Sequence, residues 1–164
     1  MTPDYFELFD LPRTLAGDAA SLRRKYYELS RVHHPDRAPA GEQNAALQKT
    51  AAINEGFRVL GNESARLRQV LLLEGKISAE ETAGNAGLPA DFMMEMMDLN
   101  EAMEDDPAAA QPLLQAALGA WRRDYESLAG NYDAGSRTDA TLDGLANLYL
   151  QRKYLDRLAG GAKK

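Results

Sequence analysis

Cysteine is absent from all 164 residues. That excludes disulfides and thiolate-held metal sites on this chain, and it agrees with a cytoplasmic location. Valine occurs only at positions 32, 59 and 70, and no segment alternates apolar and polar residues for long, so strands are not expected. The longest apolar run, Val70 to Leu73, falls far short of the roughly 20 residues that span a bilayer, so no membrane association is expected. The opening residues, Met-Thr-Pro-Asp-Tyr-Phe-Glu, lack the cationic start and apolar stretch of a secretion signal. Histidine occurs only as the adjacent pair His33-His34. Neighbours on a helix diverge by about 100°, so the pair does not readily chelate one ion. There is no glycine-rich phosphate loop, no Gly-x-Ser-x-Gly and no His-Glu-x-x-His. Neither an enzyme nor a cofactor is therefore expected.

What is present suits a globular chain. The apolar fraction is 45%, and the length allows one ordinary domain or two small ones. The formal charge of −6 argues against general nucleic-acid binding, but its distribution is uneven. Residues 18–37 hold Arg23, Arg24, Lys25, Arg31 and Arg37 against Asp18, Glu28 and Asp36. Residues 77–106 hold nine acids and no lysine or arginine. Two different binding surfaces follow from that asymmetry.

Periodicity predicts helices throughout. Tyr5 to Leu11 gives a short apolar helix or turn closed by Pro12. Asp18 can cap a helix on which Leu22, Tyr26, Leu29 and His33 share one stripe, within about 60° of one another. Arg24, Tyr27 and Arg31 fall opposite, flanked by Arg23. A third helix, about Glu42 to Leu60, places Ala46, Thr50, Ile53, Phe57 and Leu60 on one face and should run antiparallel to the second. Gly61-Asn62 breaks it before a further piece, Arg66 to Glu74. Gly84, Gly87 and Pro89 mark a linker over residues 76–88 between domains at 1–75 and 89–164. Beyond it, helical patterns at about Ala90–Asp105, Ala108–Tyr132 and Thr138–Ala159 predict a three-helix bundle.

The most informative residues are His34-Pro35-Asp36, between two helices. Proline disfavours the α region for the residue before it, so the basic helix should end near His34. Asp36 is expected to fold its carboxylate onto nearby backbone N–H groups and hold a turn. With Tyr5-Phe6, Leu8 to Leu11, Pro12, the basic Leu22–Leu29 segment and Ile53-Asn54-Glu-Gly-Phe57-Arg-Val-Leu60, this region resembles the J-domain. That module engages DnaK-class chaperones and stimulates their ATPase. The resemblance gives His34, Pro35 and Asp36 the stimulating role and makes Arg23, Arg24, Lys25, Tyr27 and Arg31 the docking face. Arg37 stands where the family usually has lysine.

Five of six methionines, Met93, Met94, Met96, Met97 and Met103, lie within eleven residues. Met96 and Met103 share the apolar stripe of Phe92 and Leu99. Met94 stands nearly opposite that stripe, among carboxylates, as a protein-binding surface would. Tyr154 lies roughly 120° from the centre of the last helix's apolar stripe. The run Phe92 to Glu101, with Arg152-Lys-Tyr-Leu-Asp-Arg-Leu158 and the J-like region, is similar to the HscB family of iron–sulfur cluster assembly. The resemblance implies an all-α, two-domain co-chaperone that delivers an IscU-type scaffold to an HscA/DnaK-class chaperone and assists cluster transfer. Its scaffold-binding surface falls on Met93, Met94, Met97, Asp98, Glu101, Asp105 and Tyr154. Four positions depart from the family: Asn100 stands where a basic residue is common, Asp98 and Asp105 replace glutamates, and Tyr154 replaces phenylalanine. Some relatives carry an N-terminal cysteine-rich zinc segment; without cysteine, no metal is expected here. A J-protein for a different or general client is the alternative.

Overall fold

Wherever an aspartate or asparagine precedes one of the first, second, fourth or sixth helices, that side chain closes the helix start. Asp4 accepts the Glu7 N–H at the head of α1 (Tyr5–Leu8), and Asp18 accepts those of Ala20 and Ser21 at the head of α2 (Ala19–Val32). Asn62 separates α3 (Gln43–Gly61) from α4 (Glu63–Leu73) and accepts the Ala65 N–H. Asp106 does the same between α5 (Ala90–Asp105) and α6 (Pro107–Asp133), ahead of α7 (Asp139–Gly161). Each such cap satisfies N–H groups that the helix itself leaves unpaired. This computed structural model describes residues 2–79 and 87–161, and among them there is no strand. The fold is all-α, as the valine-poor, 3.6-periodic sequence predicts.

The chain divides into two compact units, Met1–Gly75 and Lys76–Lys164. Of the proposed linker, residues 80–86 lie outside the described residues. Lys76 belongs to the second unit, where its ammonium meets Asp139 and Asp143, each at 2.8 Å.

In the first unit α2 and α3 form a hairpin whose register is set by three cross-links. The Tyr26 ring lies 4.4 Å from that of Phe57, and the Tyr26 hydroxyl donates to Asn54. Near the tip, Thr50 Oγ1 donates to the His33 carbonyl at 3.1 Å. Position 26 thus faces 54–57 while 33 faces 50, so the helices are antiparallel. Leu22, Ile53 and Leu60 are buried with Phe6, Phe9, Leu15, Leu67, Val70 and Leu71. Each such apolar side chain contributes roughly 1.5–3 kcal/mol relative to exposure. Gly56 lets α1 lie flush on α3, because a Cβ there would stand 2.7 Å from the Phe9 ring.

Arg66 is the buried polar anchor of this unit. Its guanidinium donates to the carbonyls of Leu15 at 3.0 Å, Leu60 at 2.6 Å and Ala16 at 3.4 Å. It thereby ties the loop after α1 to the end of α3. Gly17, at φ +69°, passes over it so closely that a Cβ would lie 2.5 Å from Nη1.

In the second unit α6 packs against both α5 and α7. Met96, Leu99, Leu114, Trp121, Tyr125, Tyr132, Leu145, Leu148 and Leu155 are buried. Trp121 stacks on Tyr125 with centroids 5.0 Å apart, and its Nε1–H donates to the Leu148 carbonyl at 2.8 Å. The expected stripes are therefore the packed ones, although Phe92 and Met103 at their edge are only half-buried. Among the described residues no helix is long and apolar enough to cross a membrane.

Candidate functional site: two partner-binding surfaces

The hairpin tip differs from the sequence expectation in two details. Helix α2 ends at Val32, with His33 as its C-cap at φ −103°, ψ 21°, rather than at His34. His34 is extended at φ −63°, ψ 131°, the conformation that a following proline imposes. The restriction therefore reaches the residue before proline, and the helix must stop one residue earlier again. Asp36 does not fold its carboxylate onto the backbone. Instead His34 Nδ1 accepts the Asp36 N–H at 3.2 Å, while residues 35–37 form one turn of 3₁₀ helix. The Asp36 carboxylate is 88% exposed, with Oδ2 3.6 Å from the same Nδ1. His34 and Asp36 thus face solvent while Pro35 is half-buried.

Arg37 folds back instead of extending. Its Nη1 donates to the Arg31 carbonyl at 3.3 Å, satisfying an acceptor at the end of α2 where a cation also suits the helix dipole. Arg23, Arg24, Tyr27 and Arg31 are exposed, the Tyr27 side chain at 65%. Lys25 departs from them. It is half-buried and its Nζ pairs with Asp10 at 3.0 Å, so part of its charge is already answered within the unit. Sequence reasoning missed Val32 and Leu47, 63% and 54% exposed on the hairpin. Val32 and Lys49 line a groove of about 400 Å³ beside His34 and Arg37. The available signal was an apolar residue off the packed stripe, next to the tripeptide.

On α5, Met94 and Met97 are 66% and 65% exposed, whereas Met96 between them is fully buried. Met93 is half-buried, and Asp98, Glu101 and Asp105 are exposed. Positions 94, 98, 101 and 105, spaced 4, 3 and 4, form one solvent-facing ridge, with 93 and 97 beside it. Asn100, in place of a cation, donates to Glu104 at 3.1 Å. Tyr154 of α7 is half-buried and meets Phe92 edge-on, with centroids 6.1 Å apart and planes at 82°. Tyr154 thus meets α5 through Phe92, at the edge of the packed stripe, while the ridge of 94, 98, 101 and 105 faces solvent. The tripeptide and basic helix lie in the other unit. Among the described residues no cluster of three or more His, Asp or Glu is arranged to hold a metal ion.

No family model matches the chain. It is 34% identical over 164 aligned residues to a Shewanella loihica protein described as a co-chaperone protein HscB homolog, covering 94% of this chain and 92% of that relative. A protein of the same description from Azoarcus sp. is 35% identical over 136 residues, covering 80% and 76%. The solved chaperone HscB from Vibrio cholerae matches with a TM-score of 0.74 and 28% identity over 97% of this chain and 95% of that one. Human co-chaperone HscB shares the fold, with a TM-score of 0.73 and 22% identity over 99% and 81%. With an exposed His-Pro-Asp hairpin tip in one unit and a helical bundle in the other, the chain belongs to the HscB family of J-domain co-chaperones of iron–sulfur cluster assembly.

Proposed function

We propose that the hairpin of the first unit recruits an HscA/DnaK-class chaperone and stimulates its ATPase, while the α5 face of the second unit holds an IscU-type scaffold. In this reading the J-domain is residues 1–75, the linker 76–88 and the scaffold-binding bundle 89–164, and the protein works in the cytoplasm. The chain performs no covalent chemistry; ATP is hydrolysed by its partner. Arg23, Arg24 and Arg31 supply a cationic face that speeds and orients encounter more than it adds affinity. Holding two partners on one chain raises the scaffold's effective concentration beside the chaperone.

The observation that carries the scaffold assignment is the exposure of Met94 and Met97 among carboxylates, with Met96 fully interred. Two adaptable apolar side chains in water within an anionic stripe suit a partner that is apolar at its centre and cationic around it. The test is a steady-state ATPase assay of the chaperone with and without an IscU-type scaffold. His34→Gln should reduce stimulation to the basal rate while scaffold binding persists. Met97→Glu should abolish scaffold binding while scaffold-free stimulation persists. Unaltered scaffold affinity in a folded Met97→Glu protein would instead favour a different or general client.

A further inference from the structure

Tyr154 is held from a second side that neither the family resemblance nor the periodicity indicates. The Arg157 guanidinium carbon stands 5.1 Å from the Tyr154 ring centroid, one helical turn further along α7. Phe92 meets the same ring edge-on and belongs to the first turn of α5, one residue before Met93. The ring is therefore fixed both by its own helix and by the helix that bears the exposed methionines. Arg157 itself is exposed.

We infer that Arg157 is a positioning residue for scaffold docking, acting by holding the Tyr154 ring against Phe92 in the orientation that the partner meets. This rests on the scaffold-binding reading above. A half-buried aromatic at a binding surface gives up little freedom on association if its neighbours already order it. A planar guanidinium is attracted to the ring face and covers it, which a lysine ammonium does less completely. Removing the guanidinium lets the ring sample other rotamers, and the ordering must then be supplied on binding.

Calorimetric titration of the full-length protein with a purified IscU-type scaffold tests this, with Met97→Glu as the reference. Arg157→Ala should raise Kd about two- to fivefold, the size of one exposed cation–π contact. Arg157→Lys should recover part of that loss. In a Tyr154→Leu background, Arg157→Ala should have no further effect. Aromatic carbon relaxation of the Tyr154 ring in the free protein should report larger ring motion in Arg157→Ala. If Met97→Glu weakens binding but Arg157→Ala does not, the positioning role is refuted. An equal loss with and without the Tyr154 ring refutes it as well, since Arg157 would then act by another route. If Met97→Glu itself binds normally, the scaffold-binding face falls, and this inference with it.

Discussion

His34 Nδ1 accepts the backbone N–H of Asp36 at 3.2 Å, so the tripeptide is braced by its own first residue and the Asp36 carboxylate is released to solvent. Asp36 joins the turn through its backbone N–H, while its carboxylate is an exposed charged tip with Oδ2 3.6 Å from His34 Nδ1. Asp36→Asn should leave unfolding free energy within about 0.5 kcal/mol of the parent, as for other exposed sites. Stimulation of the chaperone ATPase should nevertheless be lost. Thermal melts paired with the ATPase assay separate the two effects, and a large drop in stability would contradict this account of the turn.

Met96 and Met97 are chain neighbours with opposite fates. Met96→Ala should destabilise the second unit by about 2–5 kcal/mol through the cavity it leaves. Met97→Ala, at a side chain 65% exposed, should change stability by less than about 0.5 kcal/mol. Scaffold affinity should respond the other way round for the folded proteins. Urea unfolding and calorimetry on both variants check this pair.

Arg66 and Gly17 form one device. Arg66→Ala strands three carbonyls that the guanidinium satisfies, two of them on the loop after α1, and should cost about 2–4 kcal/mol. Gly17→Ala brings both a positive φ and a Cβ against that guanidinium, and should cost about 1–3 kcal/mol. Because the clash is with Arg66, the double variant should lose less than the sum of the two, as measured in a denaturant-unfolding cycle. Strict additivity would show that the contact carries no energy.

The Asp18 cap sets an acid dependence. The Ser21 hydroxyl is the main cause holding the Asp18 carboxyl below its ordinary 3.8, followed by the Ser21 and Ala20 backbone N–H groups, with Arg24 nearby. A folded pKa below the unfolded one makes the cap's contribution whole above about 3.8, and that contribution disappears as pH falls through the depressed value. Asp18→Ala should therefore melt lower than the parent at pH 7, and the two should converge in stronger acid. Thermal midpoints measured between neutral pH and about pH 2 test this; parallel curves would contradict it.

Arg24 and Arg31 lie on the exposed side of α2, where opposite charges are screened by salt. Replacing both with Gln should slow association with the chaperone severalfold at low ionic strength and flatten its salt dependence. Stopped-flow association at two salt concentrations is the measurement. An unchanged salt slope would remove this face from the encounter.

Much of the architecture was legible because local signals agree with the fold. Asp18 marks a helix start as a cap, Gly61-Asn62 marks the break between α3 and α4, and Pro35 enforces a stop after α2. The stripe of Leu22 and Tyr26, and the Met96 and Leu99 part of the α5 stripe, are faces that pack. The exposure of Met94 was also readable, since a residue nearly opposite the buried stripe of an amphipathic helix has nowhere to go but water. Lys25 was not readable as a paired residue, because its partner Asp10 lies in the preceding loop and only the fold brings them to 3.0 Å.

By itself, then, the sequence determined that this protein is helical and which stripes its helices bury, because those properties depend on neighbours three and four residues away. It began α4 at Arg66, three residues late, since the Asn62 cap starts that helix at Glu63. Tertiary structure alone decided which segments distant in the chain meet. It set Arg66 beneath Gly17 and stood Tyr154 between Phe92 and Arg157. Those arrangements join residues about 50 or 60 positions apart. No periodicity encodes such meetings; packing selects them.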